Sequence, residues 1–236
     1  MSNETLLIIM ATWKRPERFL RTLQLLDAQS DQDFVFYVWN NNPELTSLLN
    51  DWYIPSRIYN SETNIGGVGR FLLSSILAQN ISPSIRPKFV FFVDDDQEFG
   101  TDTVSRILSQ CDENAVLSNW AFQIHSRYID RTRIRNNHQR VDYCGTGGMV
   151  VPMSMFSENK SLLDEFYGLP EEFRFIEDLW LSYYAVQHLS MRLGYLSIDI
   201  TQIYDGKNQY LTKRASLDRK NSMWTYLSSK NDDAAT

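Results

Sequence analysis

Three consecutive aspartates, Asp94, Asp95 and Asp96, follow an apolar run from Phe89 to Val93. Such a run predicts a strand buried on both faces, which delivers its carboxyl end to the crevice where α/β sheets bind ligands. Adjacent carboxylates repel one another unless a cation neutralises them, and their hard oxygens suit Mg²⁺ or Mn²⁺. The segment therefore predicts a site where a metal ion binds a diphosphate. The alternative is a solvated acidic turn before a helix near Thr101.

The elements that would position these aspartates alternate along the first half of the chain. Apolar runs predict buried strands at 6–11, 34–39 and 89–93. Helices are expected after Pro16 and from the glycine segment near Gly66 to about Gln79. This order favours an α/β fold with a mainly parallel sheet and helices on both faces. The second half is less regular, with candidate strands at 115–122, 143–151 and 193–198 and helices within 171–189 and 217–227.

Composition narrows the class of protein. The 236 residues carry a formal net charge of −6, which disfavours a nucleic-acid binder because such proteins are usually basic. Cys111 and Cys144 are too few for a disulfide framework and suit a reducing compartment. The first residues lack the features of a signal peptide, and no apolar run reaches the roughly 20 residues of a membrane span. We therefore expect a cytoplasmic protein, with peripheral membrane contact still open.

Six segments, taken in order, resemble the family 2 glycosyltransferases of the nucleotide-diphospho-sugar transferase superfamily, which have the GT-A fold. The matching segments are 10–16, 40–42, 64–70, 94–96, 144–149 and 175–178. The resemblance implies one domain over 1–230, with a donor-binding half (about 1–100), an acceptor-binding half (about 101–230) that includes a small antiparallel portion, and a polar tail at 231–236. It implies sugar transfer from a nucleoside-diphosphate sugar, preferably a UDP-sugar, to a carbohydrate or lipid-linked acceptor.

Site residues follow from the same resemblance. It implies that Asp178 is the general base for an inverting reaction and that Glu177 orients the base or the acceptor. Asp94 and Asp96 would bind Mn²⁺ or Mg²⁺, and Asp205 takes the place of a late metal-binding histidine. Acceptor contacts are expected from Trp120, Gly147, Gly148 and Trp180. Donor contacts are expected from Thr12, Trp13, Arg15, Asn40, Asn41, Asn64, Gly67, Arg70, Asp94 and Asp95.

Several residues have a simpler structural explanation. Glu177 and Asp178 would also complement a helix macrodipole, and Asp205 would also fit an Asp-Gly turn. Residues 127–140 are expected to form a loop or an exposed hairpin. The basic stretch 125–140 has three interpretations: a solvated mobile loop, a surface for an anionic acceptor, or a loop that closes over the donor diphosphate.

Two other functions compete with glycosyl transfer. A sugar-nucleotide pyrophosphorylase would need a glycine-rich loop after the first strand, and residues 11–16 contain no glycine. A non-catalytic module that binds nucleotide-sugars or carbohydrates would use the same fold, but retention of both carboxylate clusters argues against it.

Overall fold

The computed structural model describes residues 6–136, 139–203 and 213–234. In chain order, the first half contains β1 (Leu6–Thr12), α1 (Pro16–Asp27), β2 (Phe34–Asn40), α2 (Thr46–Trp52), β3 (Ile58–Asn60), α3 (Val68–Asn80), β4 (Phe89–Asp94), β5 (Gln97–Phe99) and α4 (Thr103–Gln110). The second half contains β6 (Ala115–Ser118), β7 (Ala121–Ile124), β8 (Arg131–Ile134), β9 (Tyr143–Cys144), β10 (Met149–Pro152), α5 (Ser154–Ser157), α6 (Ser161–Tyr167), α7 (Glu177–Gln187), β11 (Arg192–Tyr195), β12 (Ile200–Gln202) and α8 (Lys213–Ala234).

One seven-stranded sheet, in the order β11-β6-β10-β4-β1-β2-β3, forms the centre of the molecule. Strands β1, β2, β3 and β4 are parallel, and β10 runs antiparallel between β4 and β6. Strands β8, β7 and β9 form a small antiparallel sheet, and β5 pairs with β12 in another. The predicted α/β class, with a mainly parallel sheet and a small antiparallel portion, is therefore confirmed.

The alternation of side chains along β1 explains why helices cover both faces of the sheet. Leu7 and Ile9 point into one core, and Leu6, Ile8 and Met10 point into the other. Helices α3 and α5–α8 cover the first core, whereas α1, α2 and α4 cover the second. Both faces of β1 are thus sealed from water, as its unbroken apolar sequence predicted.

Strand β4 has the same double burial and carries the aspartates. Its residues from Phe89 to Val93 are all buried, and β1 and β10 flank it on either side. Burial of each large apolar side chain contributes about 1.5–3 kcal/mol to folding. The position of Asp94 at the end of β4 is therefore fixed by the core.

The structure corrects several predicted boundaries. The single strand predicted at 115–122 is wrong, because β6 and β7 belong to different sheets. The helix predicted within 171–189, with Glu177 and Asp178 at its start, is confirmed and extends from Glu177 to Gln187. The last helix, predicted at 217–227, extends from Lys213 to Ala234 and takes in most of the expected polar tail. In the described parts of the chain, no helix is both long enough and apolar enough to span a bilayer.

Candidate active site

The carboxyl ends of β1 and β4 meet at one edge of the sheet. Ala11 lies opposite Asp94 in the parallel register, so the turn after β1 faces the aspartates after β4. Asp96 leads directly into β5 rather than into a helix. The acidic turn is therefore part of the sheet edge, and α4 begins only at Thr103.

Asp95 binds the turn that follows β1. One carboxylate oxygen accepts hydrogen bonds from Thr12 Oγ1 at 3.1 Å and Trp13 N at 3.2 Å, and the other lies 2.5 Å from Arg15 Nη1. Burial raises the pKa of Asp95, and the Arg15 charge opposes that rise. Asp95, Thr12 and Arg15, each predicted to contact the donor, thus lie together, and their hydrogen bonds to one another hold the turn.

Asp94 and Asp96 have fewer partners within the chain. Asp94 Oδ1 accepts a 2.7 Å hydrogen bond from Arg70, and its side chain is 34% exposed. Asp96 accepts a hydrogen bond from the Gln202 side chain and lies 3.9 Å from Arg15. Burial, followed by the negative charges of Asp94 and Asp95, raises the pKa of Asp96 to about 6. A cation placed between Asp94 and Asp96 would relieve this crowding.

A divalent ion fits this pair only in part. Mg²⁺ is commonly bound by one or two protein carboxylates, with water and phosphate oxygens completing the shell. Asp94 and Asp96 supply two carboxylates, and the third predicted ligand, Asp205, lies outside the described residues. Among the residues that the structure describes, no group of three or more acidic, histidine or cysteine side chains could hold a metal ion. The described residues therefore supply two candidate carboxylate ligands, and any further ligands of a bound ion would have to come from water or from a bound substrate.

Arg70 connects the aspartates to the second carboxylate cluster. Its Nη2 atom lies 2.7 Å from Asp94 Oδ1 and 3.9 Å from Glu177 Oε1, and the residue is only 4% exposed. Although burial lowers the pKa of Arg70, the charges of Asp94 and Glu177 raise it overall. Its Nη1 atom is buried and has no hydrogen-bond partner within residues 6–136, 139–203 and 213–234. One guanidinium thus holds the two halves of the site together and keeps one donor atom unused.

Two glycines allow this close approach. A Cβ atom on Gly67 would overlap the Glu177 carboxylate, and one on Gly147 would overlap the side chains of Asp94 and Gln97. The predicted glycines Gly67 and Gly147 therefore lie in the site because a larger residue would displace its carboxylates. Gly148 follows with φ +83°, a conformation that favours glycine.

Glu177 and Asp178 begin helix α7, and both are buried. Burial is the main cause that raises the pKa of Glu177 to about 7, with Arg70 opposing the rise and Asp178 adding to it. A position in the first turn does favour negative charge, as the macrodipole explanation holds. The macrodipole alone does not account for the burial of both side chains or for their cationic neighbours, which are Arg70 for Glu177 and Lys220 for Asp178.

Asp178 forms a buried network with Tyr143 and Lys220. Tyr143 donates a short hydrogen bond to Asp178 Oδ2, and Lys220 Nζ lies 2.5 Å from the same oxygen and 2.9 Å from the Tyr143 hydroxyl. Burial and the negative charge of Asp178 raise the pKa of Tyr143. Burial lowers the pKa of Lys220, but the attraction of Asp178 raises it overall. Helix α8 thus contributes a cation to the site.

The asparagines predicted to contact the donor support the neighbouring loop. Asn41 Oδ1 accepts from Trp39 Nε1 and Ile65 N, each at 3.1 Å, and its amide donates to Gly66 O. Asn64 accepts from Gly66 N at 2.8 Å. Asn40 donates to Asn60 at 2.9 Å. These contacts place the Gly66–Gly67 turn beside Glu177.

The tryptophans differ in their surroundings. Trp13 is partly buried and packs under Lys14, 4.3 Å from its ring centroid. Trp120 is partly buried and lies under the Arg133 guanidinium at 3.9 Å. Trp180 is only 2% exposed and packs against Tyr183 and other rings of the core. Neither face of Trp180 is therefore open to a sugar in this structure.

Solved structures similar in fold were found, although no family model and no curated protein matches the sequence. The 1–349 fragment of S. aureus TarS in complex with UDP aligns with a TM-score of 0.56 and 19% identity over 82% of this chain and 58% of that one. The same fragment in complex with UDP-GlcNAc aligns with a TM-score of 0.58 and 18% sequence identity, over 88% of this chain and 62% of that one. A longer TarS structure aligns with a TM-score of 0.55 and 20% sequence identity, over 82% of this chain and 35% of that one.

These likenesses confirm the architecture expected from the sequence, since TarS is a GT-A glycosyltransferase. The chain has the GT-A fold. It spans less than two thirds of the length of each of these TarS structures. At 18–20% identity the comparison establishes the fold, and the chemistry of the site is a separate question.

Sequence reasoning missed Lys220, Tyr143 and Gln97 as members of the site. Gln97 Oε1 accepts from the Asp94 backbone N–H at 2.9 Å. Its position directly after Asp96 was a usable signal. Lys220 carried no signal, because a lysine in a polar helix is normally exposed.

Replacement of Lys220 tests the buried network. Lys220→Met leaves the Asp178 carboxylate without its cation, and removal of one partner from a buried ion pair costs about 3–5 kcal/mol. We expect a loss of this size in the free energy of unfolding, measured by urea denaturation. Exposed Lys230 on the same helix is the control, and Lys230→Met should lose less than about 1 kcal/mol. The double variant with Asp178→Asn should recover stability, and an unchanged single variant would refute the network.

The environment of Glu177 predicts a pH-dependent stability. Its pKa rises on folding from 4.5 to about 7, so the unfolded chain loses this proton first as pH increases. Stability from Glu177 is therefore present below pH 4.5 and falls by up to about 3 kcal/mol as pH rises through 7. Urea denaturation between pH 5 and 8 should show this decline in the wild type relative to Glu177→Gln. Exposed Glu172→Gln is the control, and parallel curves for all three proteins contradict the assignment.

Proposed function

We propose that this protein transfers a sugar from a nucleoside-diphosphate sugar, preferably a UDP-sugar, to a hydroxyl group of a carbohydrate or lipid-linked acceptor. The observation that carries the proposal is the Arg70 bridge, which holds Asp94 2.7 Å and Glu177 3.9 Å from one guanidinium. A diphosphate beside Asp94 and an acceptor beside Glu177–Asp178 would then lie within reach of each other. The UDP and UDP-GlcNAc complexes of TarS, which has the same fold, favour a uridine donor.

On the donor side, Asp94 and Asp96 would hold Mn²⁺ or Mg²⁺ together with the diphosphate. When bound, the ion would neutralise charge that develops on the leaving diphosphate. Arg70 Nη1, buried and without a partner, would donate to a phosphate oxygen near Asp94. Asp95 would act indirectly by fixing the turn of Trp13 and Arg15.

On the acceptor side, Asp178 would act as the general base. The acceptor oxygen would form a bond to the anomeric carbon, the bond from that carbon to the diphosphate would break, and the acceptor proton would pass to the Asp178 carboxylate. Attack from the face opposite the diphosphate inverts the anomeric centre. Because Tyr143 and Lys220 occupy Oδ2, the acceptor hydroxyl would displace one of them or approach the other oxygen.

Nucleotide binding tests the donor side. A ligand at about 100 times its Kd adds about 2.7 kcal/mol to native stability, which raises the Tm of a domain of this size by about 5–10 °C. We expect this shift with UDP and Mn²⁺ together, and smaller shifts with GDP, dTDP or CMP. Asp96→Asn should lose the Mn²⁺-dependent part. Asp112→Asn, at a surface ion pair with Arg192, should keep it. No shift with any nucleotide would contradict a nucleotide-sugar donor site.

Asp178→Asn tests the chemistry. Loss of a general base lowers kcat by roughly 10²–10⁴-fold while the donor site remains intact. Transfer from UDP-sugars to an acceptor panel should therefore nearly disappear, and the UDP–Mn²⁺ thermal shift should persist. Normal turnover in the variant would remove Asp178 from this role. A wild type that binds UDP and Mn²⁺ but neither hydrolyses nor transfers any sugar would instead indicate a binding module.

A further inference from the structure

Strand β8 carries arginines at alternate positions. Arg131 and Arg133 lie on β8, and Arg135 follows two residues later. Alternate residues of a strand point to the same side, so Arg131 and Arg133 share one side of β8. Arg135 follows the strand and is close enough for its charge to lower the pKa of Arg133. These three residues are called here the arginine row. The strand pairs with β7 over four residues, from Ala121↔Ile134 to Ile124↔Arg131. This pairing matches the hairpin that was one of the two structures expected for 127–140, and Arg131 to Ile134 are therefore not part of a solvated loop.

The arginine row has no carboxylate partner in the described parts of the chain. Its neighbours are different: Arg127 pairs with Asp130 at 3.0 Å, and Arg140 pairs with Asp142 at 2.5 Å. In a chain with a net charge of −6, three adjacent uncompensated guanidinium groups are unexpected for a merely solvated surface. The pairing of the flanking arginines shows that carboxylates are available in this region.

Aromatic rings hold the first member of the row. The Arg131 guanidinium lies 4.2 Å from the centroid of Tyr128 and 5.1 Å from that of Phe122. Its Nη1 atom donates to Tyr128 O at 3.1 Å. Stacking on a ring fixes the plane of a guanidinium while its outer edge stays available for an anion.

The second member is held in the same way. Arg133 lies 3.9 Å from the centroid of Trp120, and its Nη2 atom donates to Asn119 Oδ1 at 2.8 Å. Burial, followed by repulsion from Arg135, lowers the pKa of Arg133. The Nε atoms of Arg131 and Arg133 are buried, and no residue that the structure describes forms a hydrogen bond with them. The row is thus preorganised, self-repelling and incompletely hydrogen-bonded.

The arginine row lies close to the proposed base. Phe122, which packs on Arg131, stacks on Tyr143 with ring centroids 5.7 Å apart. Tyr128 contacts Tyr143 edge-on at 5.5 Å. Tyr143 in turn donates to Asp178. One layer of aromatic rings therefore separates the row from the acceptor side of the site, whereas no described contact links it to Asp94.

We propose that the arginine row is a subsite for an oxyanion group, phosphate or carboxylate, carried by the acceptor. This inference rests on the proposed function, because an acceptor site has meaning only for a transferase. Guanidinium groups match both anions, since their planar N–H donors bond two oxygens at once. The subsite would bind an acceptor unit beside the one that receives the sugar. A closing loop over the donor diphosphate is disfavoured, because β8 is fixed by its pairing with β7.

Binding without turnover tests the subsite separately from catalysis. Tripolyphosphate, trigalacturonate and neutral maltotriose are titrated into the protein at 50 mM salt with EDTA, which prevents metal-mediated binding. We expect the wild type to bind at least one anion and not maltotriose, with affinity falling as salt rises. The preferred anion identifies phosphate or carboxylate as the acceptor group.

Variants decide whether the arginine row is responsible. Arg131→Gln/Arg133→Gln/Arg135→Gln should lose at least about tenfold in anion affinity, since 1.4 kcal/mol is tenfold. Arg127→Gln/Arg140→Gln, which removes the paired flanking arginines, should change it by less than twofold. Should the triple variant fold poorly, Arg135→Gln alone changes an exposed side chain and should lose about threefold. Equal anion binding by wild type and by these variants overturns the inference.

The UDP–Mn²⁺ thermal shift separates the two proposals. If the triple variant keeps the shift and loses anion binding, both proposals stand. If the wild type shows the shift but the variants bind anions as it does, only the subsite fails. If the wild type shows no shift with any nucleotide, the proposed function fails, whatever the anion titration shows. With an active enzyme, the triple variant should raise KM for the anionic acceptor and leave KM for UDP-sugar unchanged.

Discussion

Charge compensation by one buried cation shapes the site. Arg70 is 4% exposed and interacts with Asp94 and Glu177, which come from the end of β4 and the start of α7. Neither a buried guanidinium nor buried carboxylates are stable alone, because loss of hydration costs several kcal/mol per ion. The parts of the chain that carry these charges must therefore meet. The same close packing requires glycine at positions 67 and 147, because a Cβ atom at Gly67 would overlap the Glu177 carboxylate and one at Gly147 would overlap that of Asp94.

A second cation, Lys220 on the last helix, compensates the charge of Asp178 in the same way. The site therefore depends on segments from the whole described chain, from β1 to α8. The two cations have different consequences. Arg70 keeps an unused donor atom beside Asp94, whereas Lys220 and Tyr143 saturate one oxygen of Asp178. Under the proposed function, Arg70 would offer this donor atom to an anion, and the acceptor hydroxyl would either displace a hydrogen bond at Asp178 Oδ2 or approach the other oxygen of Asp178.

The sequence predicted the parts of the fold that have strong local patterns. Apolar runs fixed β1, β2 and β4, and the order of elements indicated the α/β class, because a strand buried on both faces has few other solutions. Short strands such as β3, β5 and β12 were missed, since three residues carry almost no periodicity. The arginine stretch was interpreted as a loop or an exposed hairpin, since its polar composition shows no apolar alternation, and β8 does pair with β7, the strand directly before it.

By itself, the sequence determined that Asp94–Asp96 end a buried strand and that Glu177–Asp178 begin a helix, since both follow from local patterns. It also indicated the GT-A fold through the order of its motifs. Only the tertiary structure decided which partner each carboxylate binds. It gave Asp95 to the turn after β1, Asp94 to Arg70 and Asp178 to Lys220, 42 residues away. Charge pairing in a buried site depends on distances between segments, and the linear sequence does not contain those distances.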